Sequence, residues 1–311
     1  MVPMKLARIG IGAVVAALLI VAIGIRLNPS FVVLFSRDVK IRSSYCSVWK
    51  ASLDGRIKLQ QQAATSEIAQ ASRVTRRDAK LALWNTPSGE YWIPDVKDRN
   101  DIILPLLLAQ TARNIYGTGE WGVQPGDIVL DAGAYVGTWT RYALAKGAKL
   151  VVAIEPTPES VECLKRNLSA EIAAGKVIVY PKGIWDSDGV LTLFGGGDGV
   201  GNSFVEHSSA NDEINGIPVT TIDKVAAELH LPRVDFIKAD VKGATERLIR
   251  GGSGVIKRDH PRLAFSTEEP VDNAPSIAKL VTQVQPGYQT QCGPCLLDGR
   301  EIYTDVMLFR Y

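Results

Sequence analysis

Residues 127–156 read DIVLDAGAYVGTWTRYALAKGAKLVVAIEP. An apolar run ends on Asp131 and passes through Gly133 and Gly137 into a helical pattern. A second apolar run then ends on Glu155, 22 residues after Gly133. Glycine supplies the backbone angles of a tight turn and lets main-chain N–H groups approach a ligand. The helix start that follows offers unpaired donors and partial positive charge. A carboxylate at the end of the second strand can accept both hydroxyls of a ribose. Together these residues suit a nucleotide-shaped cofactor; a βα turn holding no ligand is the alternative.

The turn discriminates between cofactor classes. A dinucleotide site uses G-x-G-x-x-G and lays a pyrophosphate on the helix start, whereas this turn is D-A-G-A-Y-V-G. Asp131 would repel a pyrophosphate but would accept the ammonium of an amino acid. S-adenosylmethionine has a ribose and an amino-acid tail without phosphate, and it fits better. The cofactor-binding candidates are Asp131, Gly133, Ala134, Tyr135, Gly137 and Glu155. Trp185, after the third strand, would pack on the adenine or lie in the core.

Methyl transfer from a sulfonium is an in-line displacement, so alignment and exclusion of water carry most of the catalysis. A hydroxyl acceptor gains from a positioned base. The strand end FIKAD offers Asp240, and Lys238 two residues earlier on the same side. A lysine base needs burial to lower its pKa; an Asp–Lys pair that only orients the cofactor is the alternative. Glu268 and Glu269 follow the next strand at the same rim. Asp240 and Glu268 would supply two oxygens for Mg²⁺, but no spacing compels a metal, and none is expected. The glycine-rich segment 195–217 suits a lid and contains His207, a weaker candidate base.

CGPC, residues 292–295, is a C-x-x-C tetrapeptide of the redox type. The sequence after it predicts a turn and a strand rather than the helix that activates such cysteines. We expect a turn that keeps free thiols, or pairs the two if the surroundings are oxidising. Cys163, at helical spacing in VECLKRNL, is expected in the core.

The elements that must position these groups alternate. Strands are expected at 128–131, 151–155, 177–180, 234–239, 262–267, about 287–291 and 304–310, with helical patterns between most of them. That order predicts a mainly parallel sheet with helices on both faces. GYQTQ and TDVMLFRY lack a helix between them and should pair antiparallel. Upstream, LALWNTPSGEYWIP carries a hairpin signal around Pro87-Ser88-Gly89. NDIILPLLLAQTARNIY then reads as an apolar helix capped by Asn100 or Asp101, with Pro105 near its first turn.

GDIVLDAGAYVGTWTRYAL, VVAIEPTPESVECLKRNL, VTTIDKVAAEL and VDFIKADVKGATERLIRGG resemble, in order, the blocks of the FkbM family of S-adenosylmethionine-dependent methyltransferases. The resemblance spans about Gly126 to Tyr311, and TPSGEYWIPD is similar to that family's entry hairpin. It implies an α/β, Rossmann-like class I methyltransferase fold: a mainly parallel seven-stranded sheet with an antiparallel last strand. It also implies methyl transfer, commonly to a hydroxyl of a small molecule, sugar or lipid-linked glycan. Two departures stand out. Tyr135 replaces the asparagine of D-x-G-A-N-x-G, and D-x-E-G-A-E reads Asp240-Val241-Lys242-Gly243-Ala244-Thr245, with Glu246 one place beyond. They leave open a cofactor-binding scaffold that has lost catalysis.

Ile9–Ile25 reads IGIGAVVAALLIVAIGI, without charge or proline, at the short end of a membrane span. Arg26 follows without a small-residue cleavage site, which favours a single-pass anchor over a cleaved signal. Lys5, Arg8 and the amino terminus precede the run, whereas Arg26, Arg37, Lys40 and Arg42 follow it, a margin of one charge. That slight excess favours a cytoplasmic catalytic domain. The expected organisation is an anchor at 1–27, a polar helical stalk at 28–80, the entry hairpin and helix at 81–125, and the methyltransferase domain at 126–311. A formal net charge of +2 over 311 residues gives no reason to expect nucleic acid as a partner.

Overall fold

The computed structural model describes residues 14, 15, 19, 39–96, 100–195, 202–204, 212–267 and 273–311. The strands, in chain order, begin with β1 (Lys40–Ile41), β2 (Arg73–Asp78), β3 (Leu81–Thr86), β4 (Gly89–Pro94), β5 (Ile128–Ala132) and β6 (Leu150–Ile154). They continue with β7 (Val177–Tyr180), β8 (Gly183–Ile184), β9 (Gly189–Gly195), β10 (Asp212–Thr220), β11 (Phe236–Ala239) and β12 (Arg262–Ser266). The last four are β13 (Gln289–Cys292), β14 (Cys295–Asp298), β15 (Glu301–Thr304) and β16 (Val306–Arg310).

Seven of them form the central sheet, in the order β13-β16-β12-β11-β5-β6-β7. From β12 to β7 the pairing is parallel; β16 runs antiparallel to both β12 and β13. The strand order reverses at β5, so the carboxyl ends of β5, β6 and β11 open on one crevice, where ligands of open α/β sheets bind. IVLDA in β5 is buried along its whole length, as expected of a strand covered on both faces. One face packs Leu130, Val152, Ile237, Leu248 and Ile277; the other packs Val129, Trp139, Val151, Phe236 and Leu308.

The helices named below are α1 (Val48–Ala71), α2 (Asn100–Ala112), α3 (Thr138–Ala145), α4 (Pro158–Asn167), α5 (Ser169–Ala173), α6 (Ile222–Glu228), α7 (Thr245–Gly251), α8 (Ser253–Asp259) and α9 (Ala274–Val284). Local chemistry sets several starts: Ser47, Thr221 and Asn273 each accept a backbone N–H three residues on, and α4 begins with Pro158.

Three expectations are revised. The region 28–80 is not a uniform helical stalk. After α1, RVTRRD forms β2, which pairs with β3 beside the hairpin of β3 and β4; charged residues on this exposed edge strand concealed it. The C-terminal strands do pair antiparallel, but the extra hairpin β14–β15 lies between them and takes β1 as a third strand. The CGPC cysteines neither pair with each other nor both remain thiols: Cys295 is bonded to Cys46, 249 residues away, with Cα atoms 5.6 Å apart. Cys292 is free, and Cys163 is buried as expected. The apolar run 9–25 lies outside the described residues except for 14, 15 and 19. Among the described residues no helix is long and apolar enough to cross a membrane.

Candidate functional site

The carboxyl ends of β5, β6 and β11 open into a cavity lined by Tyr116, Gly133, Tyr135, Glu155, Lys238 and Asp240, with Asn202–Phe204 across it. Gly133 has φ +76°, and a Cβ there would stand 2.2 Å from the Asp240 carbonyl oxygen. Only glycine allows β5 and β11 to end this close. Gly137, at φ +86°, caps α3, and a Cβ there would meet Leu168 at 2.8 Å. Tyr135 also has positive φ, +50°. That is the left-handed region in which the asparagine of the family pattern is comfortable and a bulky residue is not. Its ring is buried against the hairpin and α2, among Leu81, Trp84 and Leu104, and that packing offsets the strain.

The turn does not leave its donors free. Gly133 and Ala134 N–H donate to the Ile154 carbonyl at 3.0 and 3.1 Å, and Tyr135 N–H donates to Glu155 Oε2 at 3.0 Å. Thr157 N–H donates to Glu155 Oε1 at 2.9 Å. The loop thus grips the carboxylate of Glu155 and presents it to the cavity. Burial pushes the Glu155 pKa up to about 6, against the pull of the Thr157 and Tyr135 hydrogen bonds and of Lys238.

Asp131 lies elsewhere than expected. It is fully buried and does not line the cavity. Lys238 Nζ is 3.0 Å from its Oδ1, and the Thr140 hydroxyl donates to its Oδ2 at 2.6 Å. Lys238 also donates to the Gly133 carbonyl at 2.9 Å and lies over the rings of Tyr116 and Trp139. The charged group at this end of the cavity is therefore the lysine. Paired with Asp131 and donating to Gly133, it is engaged in the reverse of what a proton-accepting base requires.

Asp240 lies at the opening, with the Tyr116 hydroxyl donating to its Oδ2 at 3.0 Å. Burial would raise its pKa, but Lys242, Lys238 and hydrogen bonds from Tyr116 and Ser266 outweigh that and hold it below the usual carboxylate range. Lys242 lines the same wall, and its carbonyl accepts the Ser203 hydroxyl at 2.8 Å. Glu246 does not replace the missing acid: it accepts from Ser276 on α9 and pairs with Arg250.

Trp185 is outside the cavity lining, edge-on to Phe204 at 6.0 Å, with Arg247 over its ring. Phe204, packed on Gly183, lines it instead, with Tyr116, Tyr135 and Trp139. Asn202 lines it too; its Nδ2 reaches the Thr157 hydroxyl at 3.4 Å, while its buried Oδ1 has no partner. Glu268, Glu269 and His207 lie outside the described residues. Among those described, no three His, Cys, Asp or Glu side chains cluster to hold a metal. The sequence did not single out Tyr116, Asn202 or Phe204. Tyr116 follows α2 far from any motif, and the other two sit in a glycine-rich stretch whose docking follows from tertiary contacts.

Residues 131–285 match the family model for the methyltransferase FkbM domain. No curated protein matches the chain. Among solved structures, methyltransferase FkbM from Methylobacillus flagellatus KT is similar at 15% identity and a TM-score of 0.50, over 83% of this chain and 60% of that one. The M. jannaschii tRNA m1G37 methyltransferase follows at 14% identity and TM-score 0.44, over 74% of this chain and 54% of that one. P. horikoshii TYW2 in complex with MeSAdo has 12% identity and TM-score 0.44, over 76% of this chain and 74% of that one. The chain thus spans little more than half the length of the first two.

Proposed function

We propose, for a chain that belongs to the FkbM family of S-adenosylmethionine-dependent methyltransferases through residues 131–285, that the methyl acceptor is a hydroxyl of a glycan, lipid or small metabolite. The observation that carries this is the cavity joining Glu155, at the end of β6, to Asp240, just beyond β11. It suits the cofactor in two ways. Glu155 presents a carboxylate to ribose hydroxyls, and Asn202 has a buried oxygen in want of a donor. Gly133, Tyr135 and Thr138 would hold the amino-acid end, with Lys238 facing its carboxylate and Asp131 behind, fixing the lysine. Phe204 would pack on the adenine. The cofactor supplies an electrophilic methyl carbon; the protein supplies alignment and a dry site.

Asp240 stays ionised at neutral pH, and Tyr116 fixes its orientation. An acceptor hydroxyl entering beside it would donate to the carboxylate as its oxygen gains a bond to the methyl carbon, and Asp240 would receive the proton. Positive charge from Lys242 and Lys238 keeps the resting carboxylate from binding that proton prematurely. The apolar run 9–25 supports a single-pass anchor and hence an acceptor at or near a membrane. The charges flanking the run favour the cytoplasmic side, whereas the Cys46–Cys295 disulfide favours an oxidising compartment. Lys242 and Thr245, in place of acids, favour the second reading, a cofactor-binding scaffold.

The test is full-length protein with methyl-labelled S-adenosylmethionine and membrane extract. Asp240→Asn should lose labelled product by roughly 10²–10⁴-fold while binding S-adenosylhomocysteine as the wild type does. Binding with no product from the wild type would favour the scaffold.

A further inference from the structure

CGPC contributes nothing to the cavity described above, yet its surroundings differ from those of an inert turn. Cys295 is tied to Cys46, while Cys292, three residues away, keeps its thiol and is only partly buried. The Lys50 ammonium donates to Cys292 Sγ at 2.8 Å. Asp54 Oδ2 accepts the Cys295 N–H at 2.8 Å, and Lys58 donates to the Leu297 carbonyl at 2.7 Å. Positions 50, 54 and 58 recur every four residues on one stripe of α1, and Cys46 lies two residues ahead of the helix. Together they meet residues 292–298 with a sulfur, a cation, a carboxylate and a second cation in turn.

We infer that Cys46, Cys292 and Cys295 form a thiol–disulfide exchange site whose substrate is the chain's own disulfide. Exchange proceeds by attack of a thiolate on a disulfide sulfur. Here Cys292, having lost its proton, attacks Cys295 Sγ. The Cys292–Cys295 bond forms as the Cys46–Cys295 bond breaks, the electron pair leaves on Cys46, and Cys46 takes up a proton. One disulfide and one thiol stand on each side, so no external oxidant or reductant is needed. In C-x-x-C sites a helix start or a neighbouring cation supports the attacking sulfur. The helix is absent here, and Lys50 supplies the cation. The product is the tight ring that C-x-x-C spacing favours, and its formation releases α1 from its covalent tie to the C-terminal hairpin, leaving Asp54 and Lys58 as non-covalent fasteners.

The test uses full-length protein held at pH 8.5, quenched in acid, alkylated and mapped without reduction by mass spectrometry. Wild type should yield two bridges, 46–295 with Cys292 alkylated and 292–295 with Cys46 alkylated, in a ratio that reaches a constant value from either starting isomer. Cys292→Ser should hold 46–295 alone, and Lys50→Met should slow the approach to the constant ratio about ten-fold. Cys46→Ser should form 292–295 in air, a result that does not depend on the native bridge. Wild type that keeps only 46–295 after hours at pH 8.5 would overturn the inference. So would Cys46→Ser protein in which Cys292 and Cys295 both stay free thiols under oxygen.

Discussion

Glu155 is the residue on which the proposed cofactor site turns. Two backbone N–H groups hold it in place, while burial raises its pKa to about 6. In the proposed site a ribose hydroxyl would donate to the ionised form, which is scarce below that pH and nearly complete above it. Affinity for S-adenosylhomocysteine should therefore rise from pH 5 to about 7 and stay flat beyond, as calorimetry across that range would read. Glu155→Gln should abolish the inflection and weaken binding roughly 10–100-fold, the effect of losing a hydrogen bond to a charged group. Lys238 and Asp131 are buried partners, so their effects are not additive. Lys238→Met strands a carboxylate in the core and should cost about 3–5 kcal/mol in chemical denaturation. Adding Asp131→Leu should recover much of that stability without restoring cofactor affinity, if the lysine faces the cofactor.

At the scale of elements, the turn between β5 and α3 works by closeness rather than by free donors. Gly133→Ala would press a methyl group against the Asp240 carbonyl at a backbone angle that alanine resists. It should lower thermal stability, and in any folded fraction reduce cofactor binding below detection in the same calorimeter. The strand–helix alternation was legible from Asp127 onward because buried parallel strands read as apolar runs bounded by turn residues. β2 was not, because RVTRRD is an edge strand whose exposed positions are charged. The acids at strand ends were legible as candidates; their orientation was not. Asp131 points into the core toward Lys238, and a motif encodes position along a strand without the partner across it. Phe204, rather than Trp185, lines the cavity for a similar reason, since the tertiary path of a glycine-rich segment leaves no periodic trace.

Across the whole molecule, the strand order β13-β16-β12-β11-β5-β6-β7 brings residues far apart in sequence to one crevice. Tyr116 meets Asp240 there, and Asn202 meets Thr157. The Cys46–Cys295 bond ties the segment before α1 to β14 in the same way, and sequence spacing alone does not reveal such a pairing. Everything proposed for the activity depends on this crevice holding S-adenosylmethionine between Glu155 and Asp240. Titration calorimetry of the full-length protein with S-adenosylhomocysteine and, separately, with NAD tests that most directly. One equivalent of S-adenosylhomocysteine should bind, with heat lost in Glu155→Ala and none from NAD. Heat from NAD alone, or S-adenosylhomocysteine binding that Glu155→Ala leaves unchanged, would contradict it.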